Sequence, residues 1–399
     1  MKLLLVHGTR CLKTPSGEVY SLGRNPYSRY NRYLKHFDHV IDVSRMRNVD
    51  HVPSGLECSS GPNVSFVGIP DDSHSRLRFL VSREAKTVIK DAVSKADAVV
   101  IRNSRFAWLA AKIAQKRDIP WAVEVNSDTW DALWNYGGVL AKLYAPYQYY
   151  LARKWIWKAP YAIYVTNEYL QNRYPSQGIT GGVSNVNISP VVNSVLERRL
   201  NKISYFSKKL SFDIGLIGSL NTRYKGLHVA MHAVALLKRY GYSVTLHQLG
   251  PGDKHRWTKE AERLGVNENI IFHGVVEHGS AVMEWLDGLD IYVQPSFQEG
   301  LPRSLIEAMS RGLPCLGSSC GGIPELLSHE CLHAPGDHKK LAEQIQRFFD
   351  DDAFSIEMGE KNFFNAARYQ VDILNAKRDL FWARFADEVR VRQLKVKSA

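Results

Sequence analysis

The sequence predicts an α/β protein of two Rossmann-like domains, each a parallel sheet with helices on its faces. Three observations carry this. Short apolar runs alternate with longer segments of helical spacing, the pattern of a parallel layer. A chain of 399 residues exceeds what one ordinary core holds. The polar stretch 186–211, with Asn187, Ser189, Pro190, Asn193 and Ser194, separates two alternating halves and reads as a linker. The expected domains are 1–190 and 205–375, with a helical end at 376–399.

In the first half the expected strands are Leu3–Val6, Val40–Val43, Val64–Val67, Ala98–Ile101, Trp121–Val125 and Ala162–Val165. The apolar start is too short for a signal peptide and reads as the first buried strand. Arg76–Lys95 and Phe106–Lys116 fit intervening helices, and Pro120 marks the return into a strand. Gly138–Lys158 mixes Tyr144, Tyr147, Tyr150, Trp155 and Trp157 with Lys142, Arg153, Lys154 and Lys158. Aromatics among cations mark an interfacial helix; core packing is the alternative. In the second half, Leu227–Tyr240 is apolar at helical spacing, Ile291–Val293 reads as a buried strand, and Val371–Ala399 reads as helix.

Composition narrows the function classes. Hydrophobic residues make up 45% and charged residues 23%, as in soluble globular proteins. No run of 18 apolar residues predicts a membrane-crossing helix. Five cysteines at irregular spacing point to a reducing compartment, and Cys315 and Cys320 complete no zinc pattern. The expected location is the cytoplasm, with peripheral contact at the inner membrane face. Residues 1–200 hold 27 lysines and arginines against 16 acidic residues; residues 201–399 hold 25 against 24. A basic first half suits an anionic partner or membrane face, or serves plain solubility. No nucleic-acid-binding motif is present.

The chemistry concentrates at residues 295–326. After Ile291–Val293, Gly300 breaks the strand, and Pro302 suits the first position of a helix running through Ser304 to Ser310. Glu299 then lies in a strand-to-helix loop and Glu307 about 7 Å further along the helix axis. Two carboxylates so placed can hold hydroxyls at two parts of one extended ligand. The helix start between them offers N–H groups to phosphate. Sugar hydroxyl, phosphate and ribose hydroxyl together describe a nucleotide sugar.

Glu299 and Glu307 with seven residues between, the runs Glu-Gly-Leu-Pro (299–302) and Glu-Ala-Met (307–309), and Gly-Gly-Ile-Pro-Glu (321–325) resemble the donor-site signature of retaining glycosyltransferases of family 4. Asp213–Leu220 and Tyr224-Lys225-Gly226 resemble the first strand and phosphate-binding lysine of that family's second domain. Val244–Gly250 and Ile270–Gly274 resemble its next two strands. The resemblance covers residues 211–330 well and the first half loosely. It implies the GT-B architecture: two Rossmann-like domains facing a cleft, with the C-terminal helix crossing back to the first domain. It also implies that the first half binds the acceptor, a glycan or polyprenyl-diphosphate-linked glycan.

The candidate donor-site residues are Ser219, Gly300, Leu301, Pro302, Arg303, Ser304 and Glu307, with Lys225, Glu299 and Arg223 closest to the chemistry. A leaving diphosphate needs stabilisation by cations, a helix end or a metal. Lys225 and Arg223 supply cations, and no Asp-x-Asp pair follows a strand: Asp71-Asp72 and Asp350–Asp352 lie in turns or helix ends. No metal and no cofactor are expected. The chain departs from the family at Ser219, where an arginine usually stands, six residues before Lys225; Arg223 is the candidate substitute. Asn126 takes the place of the family's histidine. Glu124, Asn126 and Asp128, at a strand end where ligands bind in open α/β sheets, are candidates for acceptor or sugar contact. The loop Gly8–Arg29, with Arg10, Lys13, Gly17, Gly23, Arg24 and Tyr27, is expected to shape the acceptor site. The leading expectation is a metal-independent hexosyltransferase of capsule or lipopolysaccharide synthesis, with a UDP-sugar favoured. A nucleotide-sugar 2-epimerase and a non-catalytic sugar-nucleotide-binding subunit are the alternatives.

Overall fold

The computed structural model describes residues 1–22, 25–53, 55–71, 80–136, 138–277 and 279–398. The chain divides into two units, Met1–Val183 with Asn375–Ala399, and Ser184–Leu374.

The first unit holds β1 (Lys2–Lys13), β2 (Val19–Ser21), β3 (His39–Asn48), β4 (Val64–Pro70), β5 (Ala98–Arg102), β6 (Trp121–Val125), β7 (Tyr161–Tyr164) and β8 (Ile179–Gly182). Their order is β4-β3-β1-β5-β6-β7-β8, with β2 paired to β1. Only the β1–β2 pairing is antiparallel among those described. Strands β5 and β6 are buried along their whole length, as expected of strands covered on both faces. The strand order reverses between β1 and β5, so this is the unit's topological switch point.

Several expectations change here. The first strand runs to Lys13 because it resumes pairing with β3 at Arg10↔Arg45, after a register shift beyond Val6. Arg45 bridges the irregularity by donating to the Gly8 carbonyl. The expected loop Gly8–Arg29 is therefore largely a hairpin, with Gly17 at φ 89° in its turn; Gly23 and Arg24 lie outside the described residues. The helix expected from Arg76 begins at Arg83, capped by the Ser82 side chain; Arg76–Phe79 and Asp72 also lie outside them. Strands β2 and β8 carry little pattern, being three and four residues long. Helix Val139–Trp157 buries Ala141, Ala145, Gln148, Ala152, Trp155 and Ile156. Its other face exposes Leu140, Leu143, Tyr147, Tyr150 and Trp157. No helix among the described residues is long and apolar enough to cross a membrane.

The second unit holds β9 (Ser211–Ile217), β10 (Ser243–Leu249), β11 (Ile270–Gly274), β12 (Ile291–Gln294), β13 (Cys315–Ser318) and β14 (Leu332–His333). Their order is β11-β10-β9-β12-β13-β14, all parallel. The order reverses between β9 and β12, the neighbours that carry the site. The stretch read as a linker contains a helix, Asn193–Ile203, which buries Leu196, Arg199 and Ile203. Arg199 is its anchor: the guanidinium donates to the carbonyls of Leu286, Asp287 and Leu289, where the helix Ser280–Gly288 ends. A buried cation at a helix C-terminus meets both the free carbonyls and the dipole. The segment's polarity hid this amphipathic pattern.

The last helix, Val371–Ser398, starts in the second unit, and from Asn375 onward it belongs to the first. Phe381, Trp382, Phe385, Ala386 and Val389 are buried at helical spacing. Trp382 packs edge-on to Tyr33, and Phe385 against Phe37 and Tyr161.

Candidate functional site

The second unit's site is built by two segments that follow β9 and β12. Gly226 forces their approach. It adopts φ 77°, and a β-carbon there would lie 1.9 Å from the Pro295 carbonyl oxygen. Phe297 N–H also donates to the Tyr224 carbonyl at 2.7 Å. Lys225 is thereby brought beside the loop after β12, and its Nζ donates to Glu299 Oε1 at 2.7 Å. The same oxygen accepts from Gln294 Nε2 at 3.0 Å and Ser296 Oγ at 2.8 Å. Glu299 is 8% exposed. Burial pulls the Lys225 ammonium down, but the Glu299 carboxylate outweighs it and holds Lys225 above its usual value.

The glycine pair of the 321–325 run has a related purpose. Gly321 adopts φ 56°, and a β-carbon there would meet the Glu299 carbonyl oxygen at 2.3 Å. Gly322 N–H donates to the Gly300 carbonyl at 2.7 Å. Backbone thus lies on backbone behind the carboxylate and fixes the loop. Leu301 is buried, and Pro302 caps the helix Arg303–Met309 from just outside it, one position earlier than expected. No side chain caps that helix start. Ser304 Oγ donates to Gln294 Oε1 at 3.1 Å, and Arg303 is exposed.

Glu307 differs from Glu299. Its carboxylate makes no hydrogen bond or ion pair among the described residues. Burial pushes it above the usual carboxylate range, with Arg303 opposing.

Arg223 shares the loop with Lys225 but points elsewhere. Its guanidinium lies 3.6 Å from Glu260 and over the Trp257 ring, and its side chain is 58% exposed. The structure does not bring it to the Lys225–Glu299 pair. Ser219 stabilises the turn: its hydroxyl donates to the Pro251 carbonyl at 3.3 Å and accepts from Asn221 N–H at 3.2 Å. His228, behind Lys225, stacks on Phe297 with centroids 5.4 Å apart. Burial, then Arg223, pushes its imidazole down to about 4, so it is neutral at pH 7.

In the first unit the three candidate contact residues separate. Asp128 is fully buried and spent on structure. It caps the next helix by accepting from Trp130 and Asp131 N–H at 2.8 and 3.2 Å. It also accepts from Tyr174, Tyr169 and Arg173. Five donors from within the first unit thus surround the carboxylate that was expected to contact a ligand. Glu124 pairs with Arg102 and Tyr33 and is buried too. Burial opposes its charge, but Arg102, Arg32 and Arg29 prevail and hold it at about 2. It faces arginines. Asn126, directly after β6, is partly exposed.

Sequence reasoning assigned no role to Gln294 and Ser296, although both lie beside the motif. Their signal was two polar residues at alternate positions on leaving an apolar strand. Arg102, the last residue of β5, also had no role assigned from the sequence.

Comparison with known proteins agrees with this geometry. Residues 211–351 match the family described as glycosyl transferases group 1. The chain is 33% identical to Protein CapJ of Staphylococcus aureus over 383 residues, 95% of this chain and 94% of that one. It is 33% identical to the amylovoran biosynthesis glycosyltransferase AmsK of Erwinia amylovora, over 33% of this chain and 35% of AmsK. Sucrose-phosphate synthase of Thermosynechococcus elongatus superposes with TM-score 0.63 at 16% identity, covering 100% of both chains. Anabaena Alr3699/HepE in complex with UDP-glucose does so with TM-score 0.63 at 17% identity, covering 95% of this chain and 98% of that one. The fold is that of GT-B glycosyltransferases, two parallel-sheet α/β domains with a helical C-terminus. With a relative matched along nearly its whole length and the family's segment spanning the Lys225–Glu299 pair, the chain belongs to the glycosyl transferases of group 1.

Proposed function

We propose that the protein is a retaining, metal-independent hexosyltransferase of surface polysaccharide synthesis. In this reading it takes a sugar from a UDP-sugar to a glycan or polyprenyl-diphosphate-linked acceptor. The observation that carries the proposal is the Lys225–Glu299 ion pair at the switch point between β9 and β12. The names of its relatives support the pathway: AmsK and WcaL are glycosyltransferases of amylovoran and colanic acid biosynthesis. HepE supports the nucleotide, having been crystallised with UDP-glucose.

In the proposed reaction Lys225 stabilises charge growing on the diphosphate as its oxygen leaves the anomeric carbon with the bonding electrons. The acceptor hydroxyl attacks from the same face and passes its proton to the departing phosphate. Glu299 orients sugar hydroxyls, held in place by Gln294 and Ser296. Glu307 accepts from the ribose hydroxyls, which gives its buried carboxylate the donors it lacks. The exposed face of helix Val139–Trp157, Leu143 and Tyr147 among Lys142, Arg153 and Lys154, suits an anionic membrane surface on the cytoplasmic side.

The test is transfer from a panel of UDP-, GDP- and ADP-sugars to membrane extracts of a capsule-forming host, with excess EDTA. Transfer from a UDP-sugar that survives EDTA is expected. Loss in EDTA with rescue by Mn²⁺ defeats metal independence; epimerisation without acceptor, or no turnover of any donor, defeats the transferase reading.

A further inference from the structure

The first unit contains a concentration of positive charge that the donor chemistry does not use. Arg102 ends β5, and Glu124 lies opposite it in register on β6. Arg102 Nε donates to Glu124 Oε2, its Nη2 to Tyr33 OH at 3.1 Å, and its Nη1 to Asn25 Oδ1 at 3.3 Å. Arg32 Nη1 comes within 4.0 Å of the other Glu124 oxygen. Arg29, from the turn before, and Arg378, from the C-terminal helix, act on the same carboxylate and on Tyr33. Glu124 acts on all four guanidinium groups, and the buried Asp42 acts on Arg102 as well.

Burying cations is costly unless each finds a partner. Arg29 shows the cost. Its Nε is buried without a hydrogen-bond partner among the described residues. Burial and the neighbouring Arg102 and Arg32 push its guanidinium down to about 9. Arg378 is pushed down to about 10 by burial and then by Arg32. The position argues for a ligand as well. Arg102 stands at the carboxyl end of β5, beside β1, where the strand order reverses. Open α/β sheets bind ligands outside the strand ends at that point. Guanidinium forks match phosphate oxygens in pairs.

We infer that Arg29, Arg32, Arg102 and Arg378 form an anion site in the first unit for a phosphate or diphosphate group carried by the acceptor. Glu124 and Tyr33 hold the guanidinium groups in place while the site is empty. A diphosphate fits the charge better than a single carboxylate, which would add only one negative charge. The inference rests on the acceptor reading above and names its chemistry.

The experiment is titration calorimetry of the full chain with inorganic pyrophosphate, the donor site being saturated with UDP. Wild type should bind one pyrophosphate per chain. Arg29→Gln should bind it at least tenfold more weakly with UDP affinity unchanged. Lys225→Ala, without UDP, should still bind one pyrophosphate. Thermal unfolding separates a purely structural arginine from a ligand-binding one. Arg29→Gln should unfold no lower than wild type, and only wild type should be stabilised by pyrophosphate. If Arg29→Gln misfolds, Arg29→Lys keeps the charge without the fork and should show the same weakened binding. Displacement by farnesyl diphosphate assigns the anion to a lipid-linked acceptor, and displacement by glucose 1-phosphate to a phosphorylated sugar; both support the site. The proposal is overturned if UDP-saturated wild type binds no pyrophosphate at millimolar concentration. It is equally overturned if Arg29→Gln binds as wild type does, or if glucuronate competes as well as pyrophosphate. Failure of UDP to bind would sink the donor reading alone, because the Arg29 dependence is read separately.

Discussion

Glu299 and Glu124 make an instructive pair. Each is a buried carboxylate near the carboxyl end of a parallel strand, and each is tied to a cation. Their surroundings differ. Glu299 has one lysine and two neutral donors, Gln294 and Ser296. Lys225 and Glu299 therefore balance, and their neutral neighbours can exchange partners with sugar hydroxyls at small cost. Glu124 answers to Arg102, Arg32 and Arg29 together, and its loss would leave several cations facing one another. The first arrangement is poised to be opened by a ligand; the second is a keystone. A strand-end carboxylate alone does not distinguish them, and the number of cations around it does.

The largest expected effect tests the keystone. Glu124→Gln removes the carboxylate that the arginines share and should destabilise the protein by about 3–5 kcal/mol, the usual cost of breaking a buried pair from one side. Glu299→Gln should cost clearly less, measured by urea unfolding of both variants. Equal losses would erase the distinction.

Next is Lys225→Ala, expected to lower transfer roughly 100- to 1,000-fold. It also leaves Glu299 without its cation. The double variant Lys225→Ala with Glu299→Gln should recover stability over Lys225→Ala while staying inactive. Recovery of activity as well would mean that the pair is structural only.

Glu307 gives a pH test. Its folded value is raised by burial, so it gives up its proton later than an ordinary glutamate as pH rises. Hydroxyls of a bound nucleotide stabilise the charged form and lower that value. UDP affinity should therefore weaken as pH falls through the raised pKa, and Glu307→Gln should weaken binding and flatten the profile. An unchanged pH dependence in Glu307→Gln would remove Glu307 from the nucleotide site.

Asp131, beside the capping Asp128, carries the smallest effect. Burial, then the Asp128 charge, raises it to about 6. A carboxylate raised on folding favours the native state only while protonated, so its contribution is lost as pH rises from about 4 through 6. Asp131→Asn should be more stable than wild type by about 1 kcal/mol at pH 8, allowing for solvent screening of its exposed part. The two should converge near pH 3.5. A variant less stable at pH 8 would show that the charge is needed by Arg173.

The second unit was the more legible in the sequence. Its helix Leu227–Arg239, its strand Ile291–Gln294 and the Glu299–Glu307 spacing are local patterns, and a strand–glycine–proline–helix run specifies its own backbone. Lys225 was picked out 74 positions away from its partner because Tyr224-Lys225-Gly226 resembles the family's phosphate-binding lysine. What the sequence by itself determined is thus the α/β class, the strands of both sheets except β2, β8, β13 and β14, and the residue types that meet around Glu299.

Tertiary structure decided the rest, for a common reason: burial and partnership are set by residues distant in the chain. Arg223 and Lys225 read as equals, yet Glu260 and Trp257 draw one outward while the Gly226–Pro295 contact holds the other in. Arg199 sits in a polar stretch and became an anchor because free carbonyls from a helix some 90 residues on reach it. Asp128 and Glu124 alternate on one strand end, and only folding gave one to a helix cap and the other to the arginines. Arg378, 254 residues after Glu124 in the sequence, joins that group through the C-terminal helix. A side chain's type can be read from the sequence, whereas its charge balance depends on which neighbours the fold delivers.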